Sequence, residues 1–142
     1  MPQLPGDFED RPLEGRTVLL AEDEERLRII VAMMIEELGA EVITAADGKG
    51  AIDAYRQHSG EVDIVLLDMR MTGLSGASTF EKLVEIDPEV KVVISSGVSP
   101  DESVVTLLKQ RKGGFIEKPF NLDRLGEVLS KVLNGEPVIR RF

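Results

Sequence analysis

The sequence has no cysteine and no tryptophan, and it has only one histidine and one tyrosine. Without cysteine there is no disulfide framework, no thiolate metal site and no cysteine nucleophile. No stretch approaches the ~18 consecutive apolar residues of a membrane helix, so the sequence predicts no membrane span. The amino-terminal residues have neither a basic end nor an apolar stretch, which argues against a signal peptide. A cytoplasmic location is therefore the default expectation.

Basic residues are also in deficit, because 17 lysines and arginines face 26 acids and leave a net charge of −9. This charge repels phosphate backbones and anionic lipid headgroups, so we expect no direct nucleic-acid binding and no membrane binding. The 142 residues are 42% hydrophobic and 30% charged, which is typical of one globular domain. We expect that domain at residues 16–134, after an extended arm or linker at 1–15 and before a C-terminal tail at 135–142.

Short runs rich in β-branched residues alternate with longer segments of helical periodicity. The predicted strands are residues 17–21, 41–45, 62–67, 90–95 and 114–117. The predicted helices lie at 27–38, 48–58, 77–87, 101–110 and 122–133. Several strands are apolar almost throughout, as strands covered on both faces are. The alternation predicts an α/β fold, a doubly wound parallel sheet of five strands with right-handed crossovers.

Side chains with useful chemistry gather at the carboxyl ends of four predicted strands. They are Glu22, Asp23, Asp68, Ser95, Ser96 and Lys118. In doubly wound sheets, sites form beyond these strand ends. If the first and third strands are neighbours, about 4.8 Å apart, Asp23 and Asp68 share one pocket with Glu22 at its edge. An acid after a strand is often only a helix cap, as we expect for Glu24, but capping does not explain the whole combination.

The chemistry of this cluster points to phosphate. Clustered carboxylates repel one another unless a cation joins them. Mg²⁺ takes one or two carboxylates, keeps several waters and leaves room for phosphate oxygens. A carboxylate beside it can attack phosphorus and form an acyl phosphate, while Lys118 and a serine hydroxyl pair with the phosphate oxygens. The residues therefore indicate Mg²⁺-assisted phosphoryl transfer onto an aspartate.

Four segments in order, at compatible spacing, carry a family resemblance. They are VLLAEDE at 18–24, IVLLDMRM at 64–71, VVISSG at 92–97 and FIEKPF at 115–120. On these segments the chain resembles the receiver domain of bacterial two-component response regulators, over roughly Arg16 to Leu133. The resemblance implies a flavodoxin-like sheet with strand order 2-1-3-4-5. It also implies a phosphoacceptor in signal transduction that catalyses only its own phosphorylation and dephosphorylation. The implied partners are a sensor histidine kinase or histidine phosphotransfer protein as donor, and a downstream protein target.

The resemblance also implies roles for single residues. Asp68 matches the phosphoacceptor, and Lys118 matches the phosphate-binding lysine. Asp23 matches a direct Mg²⁺ ligand, and Glu22 matches the acid that usually helps through a water. Arg70 falls where the family lends a backbone carbonyl to the metal.

Two further residues match the family's switch positions. Ser96 matches the conserved hydroxyl by its spacing to Lys118, and Ser95 is kept as the alternative, since neighbouring strand residues point to opposite faces. Phe115 matches the aromatic switch residue, although a core aromatic is the simpler interpretation of a phenylalanine in a strand. The resemblance implies that Ser96 moves toward the phosphate, Phe115 rotates inward, and the face formed by the fourth helix, fifth strand and fifth helix changes. It also implies a cis bond before Pro119.

The chain departs from the family pattern at several positions. Glu22 is longer than the common aspartate, and Thr72 stands where the family commonly has proline after Met71. Arg70 and Val98 occupy positions that the family uses to tune the lifetime of the phosphate. The serine pair and the acidic arm resemble receivers joined to sensor histidine kinases, which is an analogy at the level of the family alone.

Two other interpretations compete with the receiver. The segment 68–72 resembles the Asp-x-Asp-x-Thr motif of haloacid dehalogenase phosphatases, but Arg70 replaces the second aspartate, the general acid of that family. A flavodoxin-like binder without phosphochemistry needs a phosphate-cradling loop after the first strand, and the acids at 22–24 would repel a phosphate there. The receiver is therefore the prediction.

Overall fold

Five strands and five helices alternate along residues 11–139, the part of the chain that the computed structural model describes. In chain order they are β1 (Thr17–Ala21), α1 (Glu25–Glu37), β2 (Glu41–Ala45), α2 (Gly48–Gln57), β3 (Ile64–Asp68), α3 (Gly76–Ile86), β4 (Val92–Ser96), α4 (Glu102–Arg111), β5 (Gly114–Glu117) and α5 (Leu122–Leu133). All strand pairs are parallel, and the strand order is β2-β1-β3-β4-β5. The predicted fold class and strand order are confirmed.

Each face of the sheet buries its own apolar cluster, because successive strand residues point to opposite faces. One cluster contains Leu67, Ile94 and Phe115 and is covered by α2, α3 and α4. The other contains Leu66 and Ile116, among others, and is covered by α1 and α5. Each fully buried side chain of this size stabilises the fold by roughly 1.5–3 kcal/mol. Together the two clusters fix the register that places polar residues at the strand ends.

The helices begin at side-chain caps, with one exception. In four helices the side chain before the first helical residue accepts a backbone amide three residues along. These capping residues are Asp47, Ser75, Asp101 and Asn121. Glu24, which we expected to cap α1, occupies the same position but makes no side-chain cap hydrogen bond. That expectation was wrong, and the physical reason is that capping favours the shorter side chains of serine, threonine, aspartate and asparagine.

The segment before β1 packs against the core. Residues 1–10 of the expected arm lie outside the described residues, and residues 12–15 form a turn. Leu13 is fully buried, and its amide donates to the Leu38 carbonyl at 2.9 Å. At Gly39 the backbone has φ +105°, and a Cβ there would lie 2.9 Å from the Glu14 nitrogen. Glycine at the end of α1 therefore permits this close approach.

The C-terminal segment pairs with the edge of the sheet. After α5, Gly135 adopts φ +84°, and the chain turns back toward β5. Val138 accepts the Phe115 amide at 2.7 Å and donates its own amide to the Gly113 carbonyl at 3.2 Å. Val138 thereby covers backbone groups of an edge strand that would otherwise be open. Residues 140–142 lie outside the described residues.

Two further features bear on the expectations from sequence. The Lys118–Pro119 peptide bond is cis, as the resemblance implies. Among residues 11–139, no helix is both long enough and apolar enough to cross a membrane.

Deletion of residues 136–142 should expose the Phe115 amide, because the Val138 carbonyl is its hydrogen-bond acceptor. We expect hydrogen exchange at this amide to become at least about tenfold faster, measured by NMR on the shortened and complete chains. The Val65 amide, which donates to Lys91 at 2.9 Å in the middle of the sheet, is the internal control and should keep its rate. Equal exchange at Phe115 in both chains would contradict the pairing.

Candidate functional site

Three acids and one lysine converge at the carboxyl edge of the sheet. Glu22 and Asp23 follow β1, Asp68 ends β3, and Lys118 follows β5. Because β1 and β3 are paired neighbours, their ends bring the acids together. Glu22, Asp23 and Asp68 each offer a carboxylate oxygen, and these oxygens lie within 4.8 Å of one another. The structure thus assembles the cluster that the strand ends predict.

Lys118 bridges two of the acids. Its Nζ lies 2.9 Å from Glu22 Oε1 and 3.0 Å from Asp68 Oδ1. Glu22 and Asp68 are only 3% and 7% exposed, so the ammonium offsets much of the unfavourable burial of their charge. With Asp23 beside them, the three carboxylates together have one ion-pairing cation among the described residues, Lys118, so the site keeps an excess of negative charge that a divalent cation would neutralise.

The pKa values reflect this shortage of positive charge. Burial raises the pKa of Asp68, Lys118 opposes that rise, and the charge of Glu22 adds to it. For Lys118, burial alone would lower the pKa, but hydrogen bonds to Glu22 and Asp68 outweigh burial and hold its pKa above the ordinary value. Lys118 therefore stays charged at neutral pH, while Asp68 is held in surroundings that disfavour its ionised form.

The two residues after β1 are held differently. Glu22 Oε2 accepts the Glu24 amide at 3.2 Å, so both oxygens of its carboxylate are engaged once Lys118 is counted. Asp23 is exposed, and its Oδ2 accepts the Thr72 amide at 3.2 Å and the Thr72 hydroxyl at 3.4 Å. Sequence reasoning missed this contact, since no local pattern pairs two loop residues that lie 49 positions apart.

The structure separates the two candidate serines. Both are buried, but Ser95 is the register neighbour of Asp68 in β3, whereas Ser96 is the last residue of β4 and pairs with Glu117. Strand alternation puts Ser96 on the face of the sheet that carries Phe115, and Ser95 on the other face. The Ser96 hydroxyl accepts the Val98 amide at 3.1 Å.

Phe115 is already fully buried. Its ring belongs to the cluster that contains Val104 and Leu108 of α4, and Ile139 packs against the same cluster. The ring is therefore already buried in this structure, and the inward rotation that the resemblance implies stays a prediction. A role of Phe115 in switching would have to be a repacking within the core.

The remaining predicted site residue, Arg70, has an exposed side chain in the loop after β3. Its backbone carbonyl as a metal ligand stays a prediction. Val98, the other position that the resemblance links to phosphate lifetime, is 44% exposed. Both side chains are accessible from solvent.

Comparison with known proteins gives one consistent family. A family model described as the response regulator receiver domain matches residues 18–130. The sensor kinase CckA of Brucella abortus is 33% identical over 120 residues, which cover 84% of this chain and 13% of that protein. The chemotaxis protein CheY of Thermotoga maritima is 30% identical over 119 residues, which cover 83% of this chain and 98% of that protein.

A solved structure agrees with these sequence relatives. The CheX–CheY–BeF₃–Mg²⁺ complex from Borrelia burgdorferi contains a chain that matches with a TM-score of 0.76 and 26% identity, covering 84% of this chain and 90% of that one. This chain spans only 13–14% of the length of the sensor kinases CckA and LuxN that it matches.

Replacing Asp68 by asparagine should stabilise the protein at pH 7 in the absence of metal, which a higher melting temperature would show. The pKa of Asp68 is higher in the folded than in the unfolded chain, chiefly through burial, so ionisation opposes folding above the ordinary aspartate pKa. Below that pKa both states are protonated, and the advantage of Asp68→Asn should vanish.

Thermal unfolding of both chains in EDTA, from pH 7 down to pH 3, measures this difference. Asp53→Asn is the matched control, because Asp53 lies exposed on α2 in a surface ion pair with Lys49 and should change stability little. A destabilising effect of Asp68→Asn at pH 7 would contradict the electrostatic interpretation.

Proposed function

Because the chain belongs to the response regulator receiver domain family of two-component systems, we propose that it accepts a phosphoryl group on Asp68 with the help of Mg²⁺. The observation that carries this proposal is the geometry of Lys118, whose ammonium contacts the Asp68 and Glu22 carboxylates at 3.0 and 2.9 Å. A buried aspartate beside a fixed cation and two further acids has a nucleophile, a counter-charge for phosphate and ligands for a metal in one place.

The donor set fits a hard divalent cation, since it consists of carboxylate oxygens with unneutralised charge. Asp23 and Asp68 would hold Mg²⁺ directly, the Arg70 carbonyl would supply a further oxygen, and Glu22 would act through a bound water. When bound, the ion would neutralise charge on the phosphoryl oxygens and favour the ionised form of Asp68.

Transfer onto Asp68 needs little other chemistry from the protein. A carboxylate oxygen of Asp68 attacks phosphorus as the bond from phosphorus to the donor nitrogen of a phosphohistidine breaks, and the imidazole leaves as a neutral group after taking up a proton. Lys118 pairs with the transferred phosphoryl oxygens. The protein acts in this scheme as a phosphoacceptor that promotes only its own phosphorylation and hydrolysis.

Phosphorylation would then redirect two hydrogen bonds. Lys118 would turn from Glu22 to the phosphate, and the Ser96 hydroxyl would leave the Val98 amide to donate to a phosphate oxygen. We favour Ser96 over Ser95 because Ser96 lies on the same face of the sheet as Phe115. A shift of Ser96 would thus reach the cluster between the sheet and α4, and it would alter the surface formed by α4, β5 and α5.

The phosphoryl donor comes from outside the chain in this proposal. The single histidine, His58, lies at the end of α2 and shares an open groove with Thr17 and Glu41 at the opposite edge of the sheet. We propose a sensor histidine kinase or a histidine phosphotransfer protein as donor, in the cytoplasm where kinases obtain ATP, and a protein as downstream target. Attachment to a sensor histidine kinase is the arrangement that the similarity to CckA supports.

We propose that the phosphodonor protein docks on α1. Ile29, Ile30 and Met33 are 53%, 53% and 62% exposed, which is unusual for large apolar side chains on one helix. Beside them, a largely apolar groove of about 350 Å³ runs between α1 and residues 118–120. It reaches Lys118, so a helix that docks there would bring its phosphohistidine close to Asp68.

Acetyl phosphate with Mg²⁺ should add the mass of one phosphoryl group to the native chain and nothing to Asp68→Ala. Lys118→Ala should reduce the yield at least about tenfold, since the phosphoryl oxygens lose their counter-charge, and EDTA should abolish the reaction. Intact-mass spectrometry reads the result, with Asp53→Ala as the matched control. An adduct that survives Asp68→Ala would refute the assignment, and turnover of p-nitrophenyl phosphate would favour a phosphatase instead.

Charged substitutions on α1 should separate the two phosphodonors. The test uses a sensor histidine kinase that phosphorylates the native chain. Ile30→Glu and Met33→Glu should each slow phosphoryl transfer from this kinase about tenfold or more, because a carboxylate disrupts an apolar contact. Phosphorylation by acetyl phosphate should be unchanged.

Thr106→Glu, at an exposed position of α4, is the control for added charge. Equal slowing with both donors would place the effect in the site itself and not in docking. Normal transfer from the kinase to both α1 variants would exclude α1 as the docking surface.

A further inference from the structure

Thr72 links the loops after β1 and β3 at the rim of the site. Its backbone amide donates to Asp23 Oδ2 at 3.2 Å, and its hydroxyl donates to the same oxygen at 3.4 Å. Both residues are exposed, so the contact is not a consequence of core packing. One residue thus supplies two donors to one oxygen of an acid at the site.

The three acids of the site differ in how they are held. Glu22 and Asp68 are buried and contact Lys118, so their carboxylates have little freedom. Asp23 is exposed to solvent, and its carboxylate accepts two hydrogen bonds from Thr72. Its orientation toward the other acids therefore depends on Thr72 more than on burial.

Capping and core packing do not account for Thr72. The amino-terminal cap of α3 is Ser75, whose hydroxyl accepts the Ser78 amide at 3.1 Å. The next residue, Gly73, has φ +82°, so the chain turns away immediately after Thr72. The Thr72 side chain is exposed and so lies outside the buried core.

We propose that Thr72 is a positioning residue that holds Asp23 ready for a divalent cation. Thr72 engages Asp23 Oδ2, and a carboxylate oxygen of Asp23 lies within 4.8 Å of oxygens of Glu22 and Asp68. An exposed aspartate loses rotamer freedom when it binds a metal, and a carboxylate that is already fixed loses less. Hydrogen-bond partners of metal ligands commonly change metal affinity by about 10–100-fold. This inference rests on the proposed function, since it concerns the same site.

The residue type matters because the two donors come from different parts of Thr72. Its backbone amide is available only because the residue is not proline, which has no N–H, and the hydroxyl can rotate toward Asp23. Substitutions can therefore remove one donor or both. Thr72→Ser keeps both donors, Thr72→Val keeps only the amide, and Thr72→Pro keeps neither.

Calorimetric titration with MgCl₂, in the absence of any phosphodonor, tests the proposal. We expect Thr72→Ser to bind Mg²⁺ like the native chain, Thr72→Val to bind about threefold more weakly, and Thr72→Pro to bind about tenfold more weakly or worse. Thr106→Val, at an exposed position of α4, should leave the affinity unchanged. With acetyl phosphate, the Mg²⁺ concentration for half-maximal rate should rise in the same order, while the rate at saturating Mg²⁺ stays near native.

Several outcomes would overturn the proposal. Native or tighter Mg²⁺ binding by Thr72→Val and Thr72→Pro would exclude the positioning role while leaving the proposed function intact. If Thr72→Pro does not fold, as judged by thermal unfolding, the pair Thr72→Val and Thr72→Ser decides alone. A native chain that neither binds Mg²⁺ nor takes a phosphoryl group would overturn the proposed function, and this inference with it.

Discussion

The ammonium of Lys118 between two buried carboxylates is the interaction on which the site depends. Lys118 follows β5, whereas Asp68 ends β3 and Glu22 follows β1, so one side chain ties together three strand ends, across the end of β4. Without it, two nearly buried acids would face each other unpaired, a change that typically costs about 3–5 kcal/mol. The strand order is what brings these ends within reach, and the apolar clusters on both faces hold that order in place.

The strands and helices could be predicted because their signals lie within short segments of sequence. These signals are runs of β-branched residues for strands, and apolar residues three and four positions apart for helices. The acids and Lys118 could also be predicted, since each directly follows or ends an apolar run. Thr72 could not be paired with Asp23, because their contact depends on how two loops meet. Likewise, nothing local indicates that Val138 pairs with β5, since a single bridging residue leaves no periodic pattern.

Phe115 is fixed through both its side chain and its backbone. Its ring lies in the buried cluster to which Val104 and Leu108 of α4 belong and against which Ile139 packs, while its amide donates to the Val138 carbonyl. Both its side chain and its backbone are therefore held in place. Any change that starts at Ser96 has to pass through a packed cluster, and such clusters change by discrete repacking and not by gradual deformation. The C-terminal segment thus belongs to the surface that the proposed switch would alter.

The charge balance of the site explains why small movements suffice in the proposed mechanism. The metal-free site has excess negative charge, and burial raises the pKa of Asp68. Mg²⁺ would add two positive charges, whereas phosphorylation would replace the single negative charge of the Asp68 carboxylate by the roughly −1.5 to −2 of the phosphoryl group. Phosphorylation itself therefore changes the net charge by about one unit or less, and the larger difference between the two states is which groups pair with Lys118 and Ser96. Because hydrogen bonds fall off steeply with distance and angle, exchanging two of them is enough to favour one arrangement of β4 and β5 over another.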